Sequence, residues 1–288
     1  MERARLALAG LSVGDAFGER FFVHPDVVES LLASRALPRE PWTWTDDTAM
    51  ALSVVDVLDA HGAIDRDALA VSFARRYEAE PTRGYGGTAH GILQAIGRGI
   101  PWDVAAGAVF DGDGSMGNGA AMRVAPVGAY FADDLDAVVE QAARSAEPTH
   151  AHHDGKAGAI AVAVGAALAI RRGSAALEPT AWLRAVHERT PRGPTCDGIA
   201  KALDLPLSYD VRTAVAALGN GSLVISSDTV PLSLWCAARH MADYEEALWT
   251  TASALGDRDT TCAIVGGIVA LATERVPEAW LAAREPYG

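Results

Sequence analysis

The sequence predicts an all-α protein, and three observations carry that reading. Most long segments place apolar residues at helical spacing, and Ala and Leu dominate them. Alternating strand patterns are few, the best being the short SLVIS at 222–226. No shift of composition, like-charge run or Ser/Gly/Pro-rich stretch marks a linker, and no internal repeat is visible, so residues 1–288 are expected to form one domain. A chain of 288 residues that is 50% apolar is long enough to bury a substantial core.

Each element has its own signal. The N-terminal MERARLALAGLSVGDAFG has basic residues before an apolar run, but Gly10, Gly14 and Asp15 interrupt it and no small-residue cleavage site follows. TAMALSVVDVLDAHG sets Met50, Val54, Val57 and Leu58 on one face and stops at Gly62, a helix C-cap. DRDALAVSFARRYEAEP continues with Leu69, Phe73 and Tyr77 before Pro81. GKAGAIAVAVGAALAIRRG, residues 155–173, is rich in small residues nearly all round, as a closely packed central helix would be. TVPLSLWCAARHMADYEEALWTTASALG reads as two helices broken around His240 to Tyr244, and TTCAIVGGIVALATE as another buried one. Asp228 and Thr229 before Pro231 fit a helix start with proline in its first turn. PTRGYGGTAHG and the stretch 188–210, with RTPRGPTCDG, read as loops.

Composition excludes some functions. A net charge of −13 argues against nucleic-acid binding, which needs clustered Lys and Arg; a small anionic ligand would have to be held by local donors. Cys196, Cys236 and Cys262 are far apart and odd in number, so neither a disulfide framework nor a zinc knuckle is expected, and a reducing, cytoplasmic setting is. No segment is expected to span a membrane. Nothing in the chain specifies an oligomeric state.

The acids are placed unusually. WTWTDDTAM sets Asp46 and Asp47 between Thr45 and Thr48, just before an apolar helix. Inside a helix successive side chains diverge by about 100°. At a helix start Thr45, Asp46 and Asp47 can converge, and the dipole end tolerates their charge. Alone, this reads as an ordinary N-cap at Thr45 or Asp46 with a second, dipole-stabilising acid. ALGDRDTTCAIVGGIVA repeats the pattern with Asp257, Asp259 and Thr260, where an extended loop would point the two acids to one side. If the two mouths meet, four carboxylates share a site that only cations or protons can hold together. An all-oxygen donor set matches two hard divalent ions, Mg²⁺ or Mn²⁺. A third element, GSMGNGAAMRVAPVG, has glycines around Asn118 that let amides approach a ligand, followed by a helix start; an ordinary turn with Arg123 paired internally is the plainer alternative. His150, His152 and His153 near Asp154 match no standard metal spacing.

These residues together resemble the ADP-ribosylglycohydrolase family, which includes the dinitrogenase-reductase-activating glycohydrolases and J1 crystallin relatives. GLSVGDAFG, WTDDTAM, GNGAAMRVAP, Thr149–His150, GDRDTTCAIVGGIVA and VPEAW follow in the family order over nearly the whole chain. The resemblance implies a compact orthogonal helical bundle with a dinuclear metal cleft. It implies that Thr45, Asp46, Asp47, Asp257, Asp259 and Thr260 hold two Mg²⁺ or Mn²⁺ ions, with Asp46, Asp47 and Asp259 in the catalytic set. It further implies that Ser115, Gly117, Asn118 and Gly119 cradle the phosphates of ADP-ribose and that His150 contacts the distal ribose region. The implied reaction is hydrolysis at the anomeric carbon of that ribose, releasing ADP-ribose from an N- or O-linked acceptor. One position departs: where family members commonly carry a glutamate beyond the GDAxG glycine stands Phe22, with Glu19 close by as the substitute acid. That departure leaves an ADP-ribose or nucleotide-binding module with weak turnover as an alternative. A different dinuclear-metal hydrolase and a structural protein on a retired enzyme scaffold are the others.

Overall fold

The computed structural model describes residues 1–170 and 178–287. Among them are seventeen α-helices, one 3-10 turn and no sheet, only two isolated bridges. The first half holds α1 (Glu2–Glu19), α2 (Pro25–Ser34), α3 (Asp46–His61), α4 (Arg66–Ala79), α5 (Gly87–Gly97), α6 (Trp102–Gly107), α7 (Gly119–Met122), α8 (Ala125–Tyr130) and α9 (Leu135–Ala146). The second holds α10 (His153–Ile170), α11 (Pro179–Arg189), α12 (Pro194–Asp204), α13 (Val211–Leu218), α14 (Ser226–Arg239), α15 (Tyr244–Ser253), α16 (Arg258–Thr273) and α17 (Glu278–Ala283). The all-α expectation holds.

The core is organised around α10 and α16, which are apolar all round because they are enclosed all round. Helix α10 packs against α8, α9, α11, α14 and α16. It corrects one expectation: by length and composition alone it qualifies as a membrane span, yet 83% of it is buried inside the protein. The helical reading of 155–173 ends, in its last three residues, outside the described ones.

Helices α1 and α16 make the closest approach. Gly10, Gly14 and Gly18, four apart, face Gly266, Cys262 and Arg258, also four apart. A Cβ at Gly14 would stand 2.0 Å from the Cys262 carbonyl oxygen, and one at Gly18 2.2 Å from that of Arg258. The glycines that interrupt the N-terminal apolar run are therefore the reason that the end of α1 lies against the first turn of α16. Beneath this crossing, Phe17 stacks on Trp280 at 4.7 Å and packs against Phe21, Trp42 and Trp249. The buried Trp42 is pinned further by its backbone, whose N–H donates to Ala283 and whose carbonyl accepts from Glu285. Chain entry into α3 is thus fixed from both termini.

Helix ends follow the sequence signals in part. Thr45 caps α3 with extended backbone, and Gly62 ends it at φ +68 with its N–H on the Leu58 carbonyl. Leu69, Phe73 and Tyr77 are buried on α4, and α14 and α15 break at His240–Asp243. Four expectations are corrected. SLVIS is no strand: Leu223 and Val224 lie in a turn and Ile225 caps α14, because its partner is one short loop rather than a sheet. Pro231 is the sixth residue of α14, not in its first turn. The 188–210 stretch contains α12, with Pro194 at its first position and Ile199 and Ala202 buried. Asp257 and Asp259 are not in an extended loop: Asp257 is the N-cap of α16 and Asp259 sits in its first turn.

Candidate active site

The two helix mouths meet. Asp46 and Asp47 at the start of α3 and Asp257, Asp259 and Thr260 at the start of α16 line one cavity of about 750 Å³. Thr45 lies just behind, its hydroxyl oxygen 3.1 Å from Asp47 Oδ2. Behind both stands Asp15, wholly buried in α1, which sequence reasoning did not single out. Its carboxylate accepts from the Thr45 N–H and hydroxyl and from the Thr48 N–H and hydroxyl, at 2.5–3.2 Å. Asp15 therefore caps α3 from another helix, thirty positions away. The only signal for it was a charged residue between apolar neighbours in GLSVGDAFG.

The electrostatic cost of this assembly is visible on every member with a resolved shift. Burial, then the Asp259 charge, pushes Asp257 up to about 8. Burial pushes Asp15 up to about 7 despite its four hydrogen bonds, with Asp259 adding to the rise. Asp46 and Asp47 are raised well above the carboxylate range, first by burial and then by one another's neighbours Asp259 and Asp15. Asp47 Oδ1 and Asp259 Oδ1 are buried with no hydrogen-bond partner. Orphaned carboxylate oxygens among like charges, in an all-oxygen donor set, fit hard divalent ions. Among the described residues no three acidic, His or Cys side chains are already closed around one point, so the donors line a wall rather than a finished cage.

The glycine loop lines the same cavity beside the second acid cluster. Ser115, Gly117, Asn118 and Gly119 all line it, as does His150. The loop is tied down by its own amides: Gly117 N–H donates to Ser115 Oγ, and Asn118 N–H to the Val224 carbonyl. Two of the amides expected to cradle a ligand are thus committed within the protein. Val224 adopts φ +56 to present that carbonyl, a left-handed conformation costly for a β-branched residue. The Asn118 amide donates to Asp257 Oδ2 at 2.7 Å and to Thr229 Oγ1 at 3.0 Å, which couples the loop to the second acid cluster. Gly117 and Gly119 are small because His150 lies beneath them: a Cβ at Gly119 would be 3.1 Å from His150 Cε1.

The whole chain, residues 1–287, matches the family profile described as ADP-ribosylglycohydrolase. The chain belongs to the ADP-ribosylglycohydrolase family. It is similar to the ADP-ribosylhydrolase ARH3 of Homo sapiens, at 30% identity over all of this chain and 90% of that protein. It is 32% identical to the Mus musculus protein of the same name, over 97% of this chain and 86% of that one. Among solved structures, an ADP-ribosylglycohydrolase-related protein complex superposes with a TM-score of 0.70 at 22% identity, covering 99% of this chain and 93% of the other, a likeness of fold. Membership supports a hydrolase acting on ADP-ribosyl groups.

Other residues of this ADP-ribosylglycohydrolase chain fall outside the cavity lining. Glu19, at the end of α1, is not on the cavity wall; it is half-buried, and burial followed by the Asp259 charge raises it to about 6. Phe22, at the place of the family glutamate, packs its ring 4.4 Å from the Arg258 guanidinium, which donates to the Phe21 carbonyl. His152 and His153 are not on the lining either, and Asp154 caps α12 through the Thr195 N–H and hydroxyl. Arg123 is internally bonded, as the plainer reading had it, but it also lines the cavity.

Proposed function

We propose that this cavity hydrolyses an ADP-ribosyl linkage at the anomeric carbon of the distal ribose, releasing ADP-ribose from a protein or small-molecule acceptor. The observation that carries the reading is that acids at 46–47 and 257–259, more than two hundred positions apart, line one wall. Thr45, Asp46, Asp47, Asp257, Asp259 and Thr260 would hold two Mg²⁺ or Mn²⁺ ions. When bound, such ions supply positive charge that offsets the carboxylates and polarises ribose hydroxyls.

The chain's own residues do the rest. Asp15 fixes the mouth of α3, and Asn118 fixes Asp257, so the donors are oriented before a ligand enters. Asp46, Asp47 or Asp259 takes the proton of the attacking water; burial favours the protonated form of the α3 acids in the free site, and beside the charge of bound cations they would return to the carboxylate form that can act as a base. Glu19, raised to about 6, is the candidate acid only for a leaving group that extends past the cavity wall toward the end of α1. Ser115, Gly117, Asn118, Gly119 and His150 line the same cavity and would contact the rest of the ligand.

The test is release of ADP-ribose from arginine-, serine- and O-acetyl-linked substrates with Mg²⁺ or Mn²⁺. Asp46→Ala and Asp259→Ala are expected to lower kcat by about 100-fold or more. No turnover by the intact protein on any linkage would refute hydrolysis. A second reading is favoured by the position of Glu19 off the cavity wall and by Phe22: an ADP-ribose-binding module with weak turnover. Calorimetry showing cation-dependent ADP-ribose binding without product would select it.

A further inference from the structure

Arg123 carries a full charge where no described residue offers a counter-ion in contact. It is entirely buried, between the cavity and the face of Phe73, whose ring centre lies 4.4 Å from the guanidinium carbon. Its Nε is buried without a partner, and its Nη donors go to neutral atoms: Nη1 to the Gly119 carbonyl at 3.1 Å and the Met50 sulfur at 3.7 Å, Nη2 to the Ser145 carbonyl at 2.9 Å and to Thr149 Oγ1 at 2.8 Å. The last of these has a consequence along the chain. A guanidinium can only donate, so Thr149 Oγ1 must accept from it and keeps its single proton for another partner. Two are in reach. The Ala146 carbonyl is 3.5 Å away, at the limit of a hydrogen bond, and His150 Nδ1 is 2.7 Å away. The much shorter contact favours the hydroxyl proton on Nδ1, an arrangement in which that nitrogen is the acceptor and the ring proton sits on Nε2.

We propose that Thr149, oriented by the buried guanidinium of Arg123, is a positioning residue that sets the tautomer of His150, so that the imidazole enters the cavity as a neutral Nε2–H donor to an acceptor oxygen of the ligand. The ring sits on the cavity wall with Nε2 under the glycine loop, 3.3 Å from where a Cβ on Gly117 would be. That loop must be glycine there if the donor is to be reached. The arrangement excludes His150 as a base: a nitrogen that already carries the proton cannot take one, and the other is occupied by Thr149. Arg123 supports this a second way, since burial and its nearby charge both hold the imidazole neutral, down to about 3.

The inference rests on the cavity being the ligand site, but its core is readable in the free protein. Long-range ¹H–¹⁵N spectra of the ¹⁵N-histidine-labelled full chain at neutral pH, with His150 assigned from His150→Asn, report which ring nitrogen is protonated. The expected result is Nε2–H with an unprotonated Nδ1, a loss of that single tautomer in Thr149→Val, and its return in Thr149→Ser. Calorimetry with ADP-ribose is expected to show binding weakened about fivefold to tenfold in Thr149→Val and restored in Thr149→Ser. Nδ1–H in the intact protein overturns the proposal, and so does an unchanged tautomer in Thr149→Val. If Thr149→Val does not fold, the tautomer of the intact protein and of Thr149→Ser decides. Absence of ADP-ribose binding with the Nε2–H tautomer in place would refute the functional reading and leave the relay standing.

Discussion

Asp259 raises Glu19, Asp15, Asp46, Asp47 and Asp257 through its charge, so one carboxylate strains the whole group. Asp259→Asn keeps the shape and removes the repulsion. In divalent-free buffer at pH 8 it is expected to stabilise the fold by about 1–2 kcal/mol, roughly 2–8 °C in Tm, while abolishing turnover. Differential scanning calorimetry with and without Mg²⁺ checks the stabilisation, with the variant also losing the Mg²⁺-dependent rise, and release of ADP-ribose checks the turnover. The pH dependence has a sign that ordinary acid denaturation lacks. Asp15 at about 7 and Asp257 at about 8 bind protons in the folded state that the unfolded chain, with carboxylates near 3.8, has released. Their contribution is present at low pH and lost as pH rises to 8. His150, held to about 3 against 6.5, works the other way and costs stability as pH falls below 6.5. Two or more acids outweigh the single histidine, so the divalent-free protein is expected to lose stability steadily from about pH 5 to 8, and melting curves in EDTA that rise across that range would contradict this. The two acid clusters were legible because each opens an apolar run; Asp15 was not, because a cap supplied from another helix leaves no local pattern.

Among the elements, α1 and α16 carry the site, and their contact tests that claim. Gly14→Ala gains up to about 1 kcal/mol of helix propensity. It also forces a Cβ to 2.0 Å from the Cys262 carbonyl, where a backbone rather than a flexible side chain must yield. The clash is expected to dominate, with a net loss of about 2 kcal/mol or more and a lower cation affinity because the starts of α3 and α16 part. Gly91→Ala is the control: on the exposed side of α5, with no atom within 4 Å of the new Cβ, it is expected to stabilise by roughly 0.5–1 kcal/mol and leave activity unchanged. Urea unfolding of the two variants in parallel separates propensity from packing. Helices with strong periodicity or clear caps, such as α3 and α4, were readable from sequence. Those set by tertiary context were not: α12 hides in a loop-like RTPRGPTCDG, and Leu223–Val224 turn out to form a turn because only the 115–118 loop pairs with them.

At the scale of the molecule, the site draws on every quarter of the chain: Asp15, the 45–48 turn, the 115–119 loop, Thr149–His150, Thr229 and the start of α16. Elements so distant are held by one core, yet the charge they concentrate opposes that core, in a chain whose net charge is already −13. Bound cations would remove the conflict, and the protonation of the free site predicts how they must do it. With Asp15 at about 7, Asp257 at about 8 and burial raising Asp46 and Asp47 as well, the free site holds protons at pH 7 that a divalent ion must displace. Mg²⁺ binding is therefore expected to release about one to three protons per protein at pH 7. Fewer should leave at pH 8.5, and the apparent affinity should fall as pH is lowered. Isothermal titration in buffers of different ionisation enthalpy measures the proton count directly. Binding at unchanged affinity from pH 6 to 8.5 with no proton release would mean that the cation sits elsewhere, and with it would go the assignment of Thr45, Asp46, Asp47, Asp257, Asp259 and Thr260 as its ligands.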